Sequence, residues 1–261
     1  MSYKIVFLDI DGTILPPDHK IASSTKSAVA QLKAKGIEVC IATGRPIIDT
    51  LAVAKELNVD SYITFNGAFA TVKGKDIKKE LLRDEDVEHL LAIAKENNHD
   101  ILFASKDKNV IIPAENSTKA VEYVQHLQMH GTLYQEKSDI AEVLSGTLLL
   151  PSHEEVNFYN AITSIKLVPC NIGKHVAYDF ISPSINKATA IASVIKYLNI
   201  DQSDTIAFGD GMNDKEMLTY VETGIAMGNA HQDLHPYANF VTTSVTEDGI
   251  YHGLKLLGLA E

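Results

Sequence analysis

Two carboxylates stand two residues apart near the start of the chain, in Asp9-Ile10-Asp11-Gly12-Thr13. One could attack phosphorus, while the other protonates a leaving oxygen and then activates water. Gly12 permits a tight turn beside a ligand, and Thr13 offers a hydroxyl and an N–H. An Asx-type turn uses the same residue types. At ordinary residue usage, however, four fixed positions match by chance on the order of 10⁻⁵ per start, which favours chemistry. A second acidic segment, Phe208-Gly209-Asp210-Gly211-Met212-Asn213-Asp214, lies far along the chain. Asp210 could bind a hard divalent cation through oxygen. Asn213 and Asp214 could hold that cation's waters or orient a lysine. The plain alternative is a decorated turn capping the helix that follows.

An anionic substrate also needs cations and donors. Thr43-Gly44-Arg45 supplies a hydroxyl, an open backbone and a guanidinium ahead of a helix start, where free N–H groups suit an anion. Taken alone, Arg45 reads equally well as half of a structural ion pair. Lys187 opens a helix after Ser182-Pro183 and could hold a phosphoryl group against Asp9. In isolation a solvated surface lysine is the commoner outcome. Lys174 and His175, beside Gly173, could face a substrate, although a solvated turn fits them better.

The elements that must position these residues alternate strand and helix. Strands are expected at Lys4–Leu8, Ile37–Ala42 and Ser61–Phe65. Helices are expected at Thr25–Lys35, capped by Ser23 or Ser24 and stopped by Gly36, and at Asp49–Leu57. The last third repeats the alternation with a helix at Lys187–Leu198, a strand at Thr205–Phe208, a helix at Asp214–Tyr220, strands at Gly224–Met227 and Phe240–Thr242, and a helix at Gly249–Leu257. This order predicts an α/β fold, a Rossmann-like doubly wound parallel sheet with helices on both faces. Asp9 and Asp11, Thr43-Gly44-Arg45, Asn66-Gly67, Gly209-Asp210-Gly211 and Gly228-Asn229 each follow a strand directly. In a parallel sheet these ends share one edge, where open α/β folds bind ligands.

The middle has a different texture. A helix at Asp84–Glu96 places Val87, Leu90, Leu91 and Ala94 on one face. Short strands near Ile101–Ala104, Val110–Ile112, Thr147–Leu150, Ile165–Val168 and Ala177–Ile181 alternate with helices near Lys119–His126 and Glu154–Ile162. Residues 83–183 therefore read as a smaller α+β domain inserted into a core of residues 1–82 and 184–261.

The 261 residues carry 45% apolar and 22% charged residues and a net charge of −11. The charge argues against a nucleic-acid partner. Screening over about 8 Å at physiological salt leaves local charges free to bind an anion. No apolar run reaches the roughly 20 residues of a membrane helix, and the N-terminus lacks the zones of a signal peptide. The two cysteines, Cys40 and Cys170, have no metal-type spacing and read as reduced thiols in a cytoplasmic protein, Cys40 as a core residue. The ten histidines form no metal-binding pattern. A monomer is the default expectation.

Together, D-x-D-G-T at Asp9–Thr13, the Thr43 motif, the Lys187 motif and G-D-x-x-N-D at Gly209–Asp214 resemble the haloacid dehalogenase superfamily of phosphotransferases, in the family's order. Asn66-Gly67-Ala68, the long insertion, Ala226-Met227-Gly228-Asn229-Ala230 and Glu247-Asp248-Gly249-Ile250 resemble its Cof-type subfamily with a type-II (IIB) cap. The resemblance implies a magnesium-dependent phosphatase that hydrolyses phosphate monoesters of small metabolites, sugar phosphates first. It implies Asp9 as nucleophile and Asp11 as general acid/base. Asp9, Asp11 (through its backbone carbonyl) and Asp210 would hold Mg2+, with Asn213 and Asp214 supporting. Gly12, Thr43, Gly44, Arg45, Asn66, Lys187 and Asn213 would line the phosphate and substrate site. One departure is Ala188, where many relatives have glycine. Two other functions share the pattern: a phosphotransferase such as a sugar phosphomutase, and a phospholigand-binding regulator without turnover.

Overall fold

Short apolar runs, buried on both faces, form the central strands of the larger of two units. The computed structural model describes residues 3–127, 129–170 and 176–261. Lys174 and His175 lie outside them. In chain order the elements are β1 (Ile5–Leu8), α1 (Ser23–Ala34), β2 (Glu38–Ala42), α2 (Ile47–Glu56), β3 (Tyr62–Thr64), β4 (Phe69–Val72), β5 (Lys75–Lys79), α3 (Asp84–Glu96), β6 (Asp100–Ala104), β7 (Asn109–Ile112), α4 (Lys119–His126), β8 (Thr132–Leu133), β9 (Ser145–Leu150), β10 (Lys166–Pro169), β11 (Val176–Ile181), α5 (Lys187–Leu198), β12 (Thr205–Gly209), α6 (Lys215–Tyr220), β13 (Thr223–Ala226), β14 (Phe240–Val241) and α7 (Gly249–Leu256). Chain contacts divide these into two units. One holds Met1–Gly44, Ala52–Lys78 and Asn186–Glu261, and the other Arg45–Leu51 and Lys79–Ile185.

The first unit is built on an eight-stranded sheet of order β14-β13-β12-β1-β2-β3-β4-β5. Its pairings from β14 to β3 are parallel. β4 then turns back antiparallel on β3. The sheet is therefore mixed at one edge, and β4 and β5 were not anticipated. Alternation along β1 sends Val6 and Leu8 to one face, with Ala28, Val29 and Leu32 of α1 and Ile250 and Leu254 of α7. It sends Ile5 and Phe7 to the other, with Ala190, Ile191 and Val194 of α5 and Met217 and Leu218 of α6. Both faces are covered, as a central parallel sheet requires. Cys40 is fully buried on this second face.

The second unit has a six-stranded sheet of order β10-β11-β9-β6-β7-β8. Val87, Leu90 and Ala94 of α3 pack against Phe103, Leu148 and Phe180 on one face. Ala120, Tyr123 and Val124 of α4 pack against Leu102, Leu149 and Ala177 on the other.

Two local expectations need correcting. Neither Ser23 nor Ser24 caps α1: Ala22 flanks its start without a side-chain bond, and the Ser24 hydroxyl instead donates to Asp248 at 2.5 Å. The helix expected at Glu154–Ile162 is a short run of 3₁₀ turns at His153–Tyr159. Asn, Phe, Tyr and Val are weak helix formers. The tighter winding also lets Tyr159 bury completely, with its hydroxyl 2.9 Å from His99 Nδ1.

Candidate active site

Strand register sets the site. Leu8 lies opposite both Phe208 and Ile41, so Asp9, Gly209-Asp210 and Ala42-Thr43 leave the sheet side by side at its carboxyl edge. Gly209 pairs with Ala226 and Ala42 with Ile63. The loops carrying Asn229 and Asn66 therefore emerge along the same edge.

Behind Asp9 sits Lys187, at the first position of α5. Asn186 caps that helix by accepting the Thr189 N–H at 2.9 Å. The Lys187 side chain has no solvent exposure, and its Nζ lies 2.6 Å from Asp9 Oδ1 and 2.5 Å from Asp214 Oδ1. Lys187 is thus no surface lysine. Burial alone would lower its pKa, but the Asp214 and Asp9 charges outweigh that and hold it above the ordinary lysine value. Asp214 spends its other oxygen on the N–H groups of Asp210 and Gly211, at 2.9 and 3.0 Å. With both oxygens engaged, it orients Lys187 and the Asp210 loop and also precedes α6.

Asp9, Asp210 and Asp214 bring ligand-type oxygens within 4.8 Å of one another. Burial raises Asp9 well above the usual carboxylate range, and the neighbouring acids add to it against the pull of Lys187. Burial and then the Asp214 charge push Asp210 up to about 7. Three carboxylates around one ammonium leave negative charge uncompensated in a poorly solvated place. That donor set, all oxygen and anionic, fits a hard divalent cation. The side chain of Asp11 is outside this cluster and exposed, so the expected contribution of Asp11 to a metal would come from its backbone carbonyl.

The loop after β1 closes on itself. Ile14 and Leu15 both donate to the Ile10 carbonyl, at 2.9 and 2.8 Å, and Gly12 donates to the Leu15 carbonyl at 2.9 Å. Gly12 has a φ of 75°, and a methyl group there would overlap the Asp210 carboxylate. Thr13 Oγ1 donates to Asp210 Oδ1 at 3.0 Å. The glycine and the threonine therefore let the two acidic loops meet.

On the other flank, Thr43 is buried. Its N–H donates to the Ile63 carbonyl at 2.9 Å, and its carbonyl accepts from the Asn66 N–H at 3.1 Å. Phe65 and Asn66 both have a φ of 53°, a left-handed pair that costs energy outside glycine and clusters at functional sites. The Asn66 side chain accepts from Asn213 Nδ2 at 3.0 Å and lies against Gly44. The structure thus brings together Asp9, Gly12, Thr43, Gly44, Asn66, Lys187, Asp210, Asn213 and Asp214 along one edge, with Asp11 on the closed loop. Arg45 belongs by its contacts to the second unit. Two residues gained no individual role from sequence reasoning, Asn186 and Asn229. Asn186 carries the signal of a cap residue three positions before Thr189. Asn229 directly follows a strand-end glycine.

The model of the haloacid dehalogenase-like hydrolases matches residues 6–254. The chain belongs to that family. It is 36% identical over 262 residues to "Putative phosphatase YkrA" of Bacillus subtilis (strain 168), covering 99% of each chain. A hypothetical protein from Geobacillus kaustophilus HTA426 superposes with a TM-score of 0.90 at 35% identity, over 99% of this chain and 100% of that one. The sugar phosphatase BT4131 of HAD subclass IIB superposes with a TM-score of 0.83 at 31% identity, over 98% and 99%. The chain is a Cof-type haloacid dehalogenase hydrolase of the phosphatase class, with the α/β fold expected of it. No helix among the described residues is long and apolar enough to cross a membrane.

Proposed function

We propose that this protein hydrolyses phosphate monoesters of small metabolites, sugar phosphates first, through an aspartyl-phosphate on Asp9. The observation that carries this reading is the buried Lys187 ammonium 2.6 Å from Asp9 Oδ1, at the strand edge where Thr43, Asn66 and Asp210 converge. An Asp9 oxygen forms the new bond to phosphorus as the ester oxygen leaves, taking a proton from Asp11. Water then attacks the aspartyl-phosphate, gives its proton to Asp11, and frees Asp9 and inorganic phosphate. An alkoxide is a poor leaving group without that proton, so Asp11 supplies general-acid and then general-base catalysis. Lys187 holds the phosphoryl oxygens and steadies Asp9. Gly12, Thr43, Gly44, Arg45, Asn66 and Asn213 contribute donors around the phosphate.

Asp9, Asp210 and the Asp11 carbonyl would hold magnesium, which supplies positive charge to offset the repulsion between Asp9 and a phosphate dianion. Most of the rate enhancement must come from positioning and preorganised charge, not from one residue. We take residues 83–183 as the cap that selects the leaving group. The sugar-phosphate reading rests on similarity to the subclass IIB sugar phosphatase. The free thiols of Cys40 and Cys170 favour a reducing compartment, the cytoplasm.

Phosphate release from a panel of phosphorylated metabolites, with magnesium and with chelator, tests the proposal. Release that needs magnesium and vanishes in Asp9→Asn is the expected result. Release that survives in a folded Asp9→Asn variant removes the nucleophile. No release from any compound by folded wild type moves the reading to a transferase or a binding protein.

A further inference from the structure

Asn229 lies outside the acidic cluster, yet it holds the loop that carries Asp11. Its Nδ2 donates to the Gly12 carbonyl at 2.8 Å, and its Oδ1 accepts from the Val245 N–H at 2.7 Å. One carboxamide thus spans two backbone segments, the turn after β1 and the turn before α7. Gly12 is the residue after Asp11 and has a left-handed φ of 75°. Its N–H is held by Leu15 within the loop. Its carbonyl is held only across the chain, by Asn229, among the described residues. The peptide from Gly12 to Thr13 is therefore held at its carbonyl by Asn229 and at its N–H by the Ile10 carbonyl, 3.3 Å away, while the Thr13 hydroxyl ties the next side chain to Asp210. Asp11 is exposed, and the backbone on either side of it carries its side chain. Ile10, on one side, is fully buried. Gly12, on the other, has no side chain to anchor it.

We propose that Asn229 is a positioning residue for Asp11, acting through the Gly12 carbonyl. The inference rests on the acid/base role of Asp11 given above. The carboxamide meets both demands here, a donor for Gly12 and an acceptor for Val245. Aspartate keeps the acceptor and loses the donor. Asn229 and its bond to Gly12 are exposed to water, so the contribution of that bond to stability is small; the bond from Val245 is part-buried. Their effect falls on orientation, where a displacement of about 1 Å can cost about 100-fold in rate.

The test separates substrates by leaving group. With 4-nitrophenyl phosphate, Asp9 forms its bond to phosphorus while the phenolate departs with its electron pair and needs no proton. With an alkyl phosphate, the departing alkoxide must take the Asp11 proton. kcat/KM reports this first step for both. Asn229→Ala and Asn229→Asp are assayed with 4-nitrophenyl phosphate and with the alkyl phosphate that wild type hydrolyses fastest. The expected result is a loss of about 100-fold in kcat/KM for the alkyl ester, with the aryl ester within about threefold of wild type. For the aryl ester, kcat and KM should fall together, because water attack on the aspartyl-phosphate still needs Asp11. Asp11→Asn should show the same pattern more strongly, and the melting temperature of each Asn229 variant should stay near wild type. Equal losses on both esters, or no loss, overturn the proposal. Should Asn229→Ala fail to fold, Asn229→Asp, which keeps the Val245 bond, decides. A wild type that releases no phosphate, or an Asp11→Asn variant indifferent to the leaving group, would instead count against the underlying mechanism.

Discussion

Lys187 sets one ammonium against two buried carboxylates, so its removal leaves both without their shared partner. Breaking a buried pair from one side costs about 3–5 kcal/mol. Lys187→Met should therefore lower stability by about that much at pH 8 in cation-free buffer, measured by urea unfolding. The loss should shrink as pH falls, because Asp9, already held above the usual carboxylate range by burial, can take up a proton in place of the lost ammonium. A pH-independent loss would show that packing, not charge, is at stake. A further acid, the half-buried Asp179, has only a hydroxyl and a thiol as hydrogen-bond partners of its carboxylate among the described residues. Thr147 Oγ1 donates to its Oδ1 at 2.7 Å and Cys170 Sγ at 3.3 Å, yet burial still raises its pKa. The unfolded chain ionises this residue near pH 4. Stability from a raised group is full below that pH and is lost as pH climbs towards the folded-state value. Asp179→Asn keeps an acceptor at Oδ1 and should be more stable than wild type at pH 8. Unfolding curves at pH 4 and pH 8 check this, and an advantage that fails to grow with pH refutes it.

At the scale of elements, the start of α5 is the joint that delivers Lys187. Asn186 caps it through the Thr189 N–H, and Asn186→Ala should cost about 1 kcal/mol with a matching loss of order around Lys187, read by amide exchange of the first helical turn. Gly67 supports the same joint: its φ is 108°, and a methyl group there would overlap the Asn186 carbonyl. These features also mark what the sequence could and could not convey. The strands β1, β2 and β12 were legible because short apolar runs ended in motifs rich in acid and glycine. With those strands in place, a parallel sheet put Asp9, Thr43 and Asp210 on one edge. β4 and β5 were missed because Phe69–Val72 and Lys75–Lys79 carry no motif, and β5 is polar on its exposed face. Asn186 acts through a backbone group 3 positions away in sequence, and Asn229 reaches the Gly12 carbonyl 217 positions away. A local pattern can suggest the first, but only the folded chain brings Gly12 to the second. The burial of Lys187 was likewise invisible, because the same residue at a helix start is usually solvated.

Across the molecule, the net charge of −11 and the crowding of Asp9, Asp210 and Asp214 work in the same direction. The folded chain holds anionic oxygens together that the unfolded chain disperses. A cation that binds the folded cluster and not the unfolded chain stabilises by mass action, about 2.7 kcal/mol at 100 times its dissociation constant. For a chain of this size each kcal/mol moves the melting temperature by about 2–4 °C. Saturating magnesium should therefore raise the melting temperature by about 5–10 °C. Sodium at equal ionic strength should reproduce little of this, because screening acts between exposed charges and much less on buried ones. The discriminating variant is Asp210→Asn. It removes one carboxylate from the crowd, so without magnesium it should melt no lower than wild type, while its response to magnesium shrinks to that of sodium. Differential scanning fluorimetry of both proteins in matched salts reads the comparison directly. An equal magnesium shift in wild type and Asp210→Asn would mean that the ion stabilises through general surface charge and that the acidic cluster does not hold it.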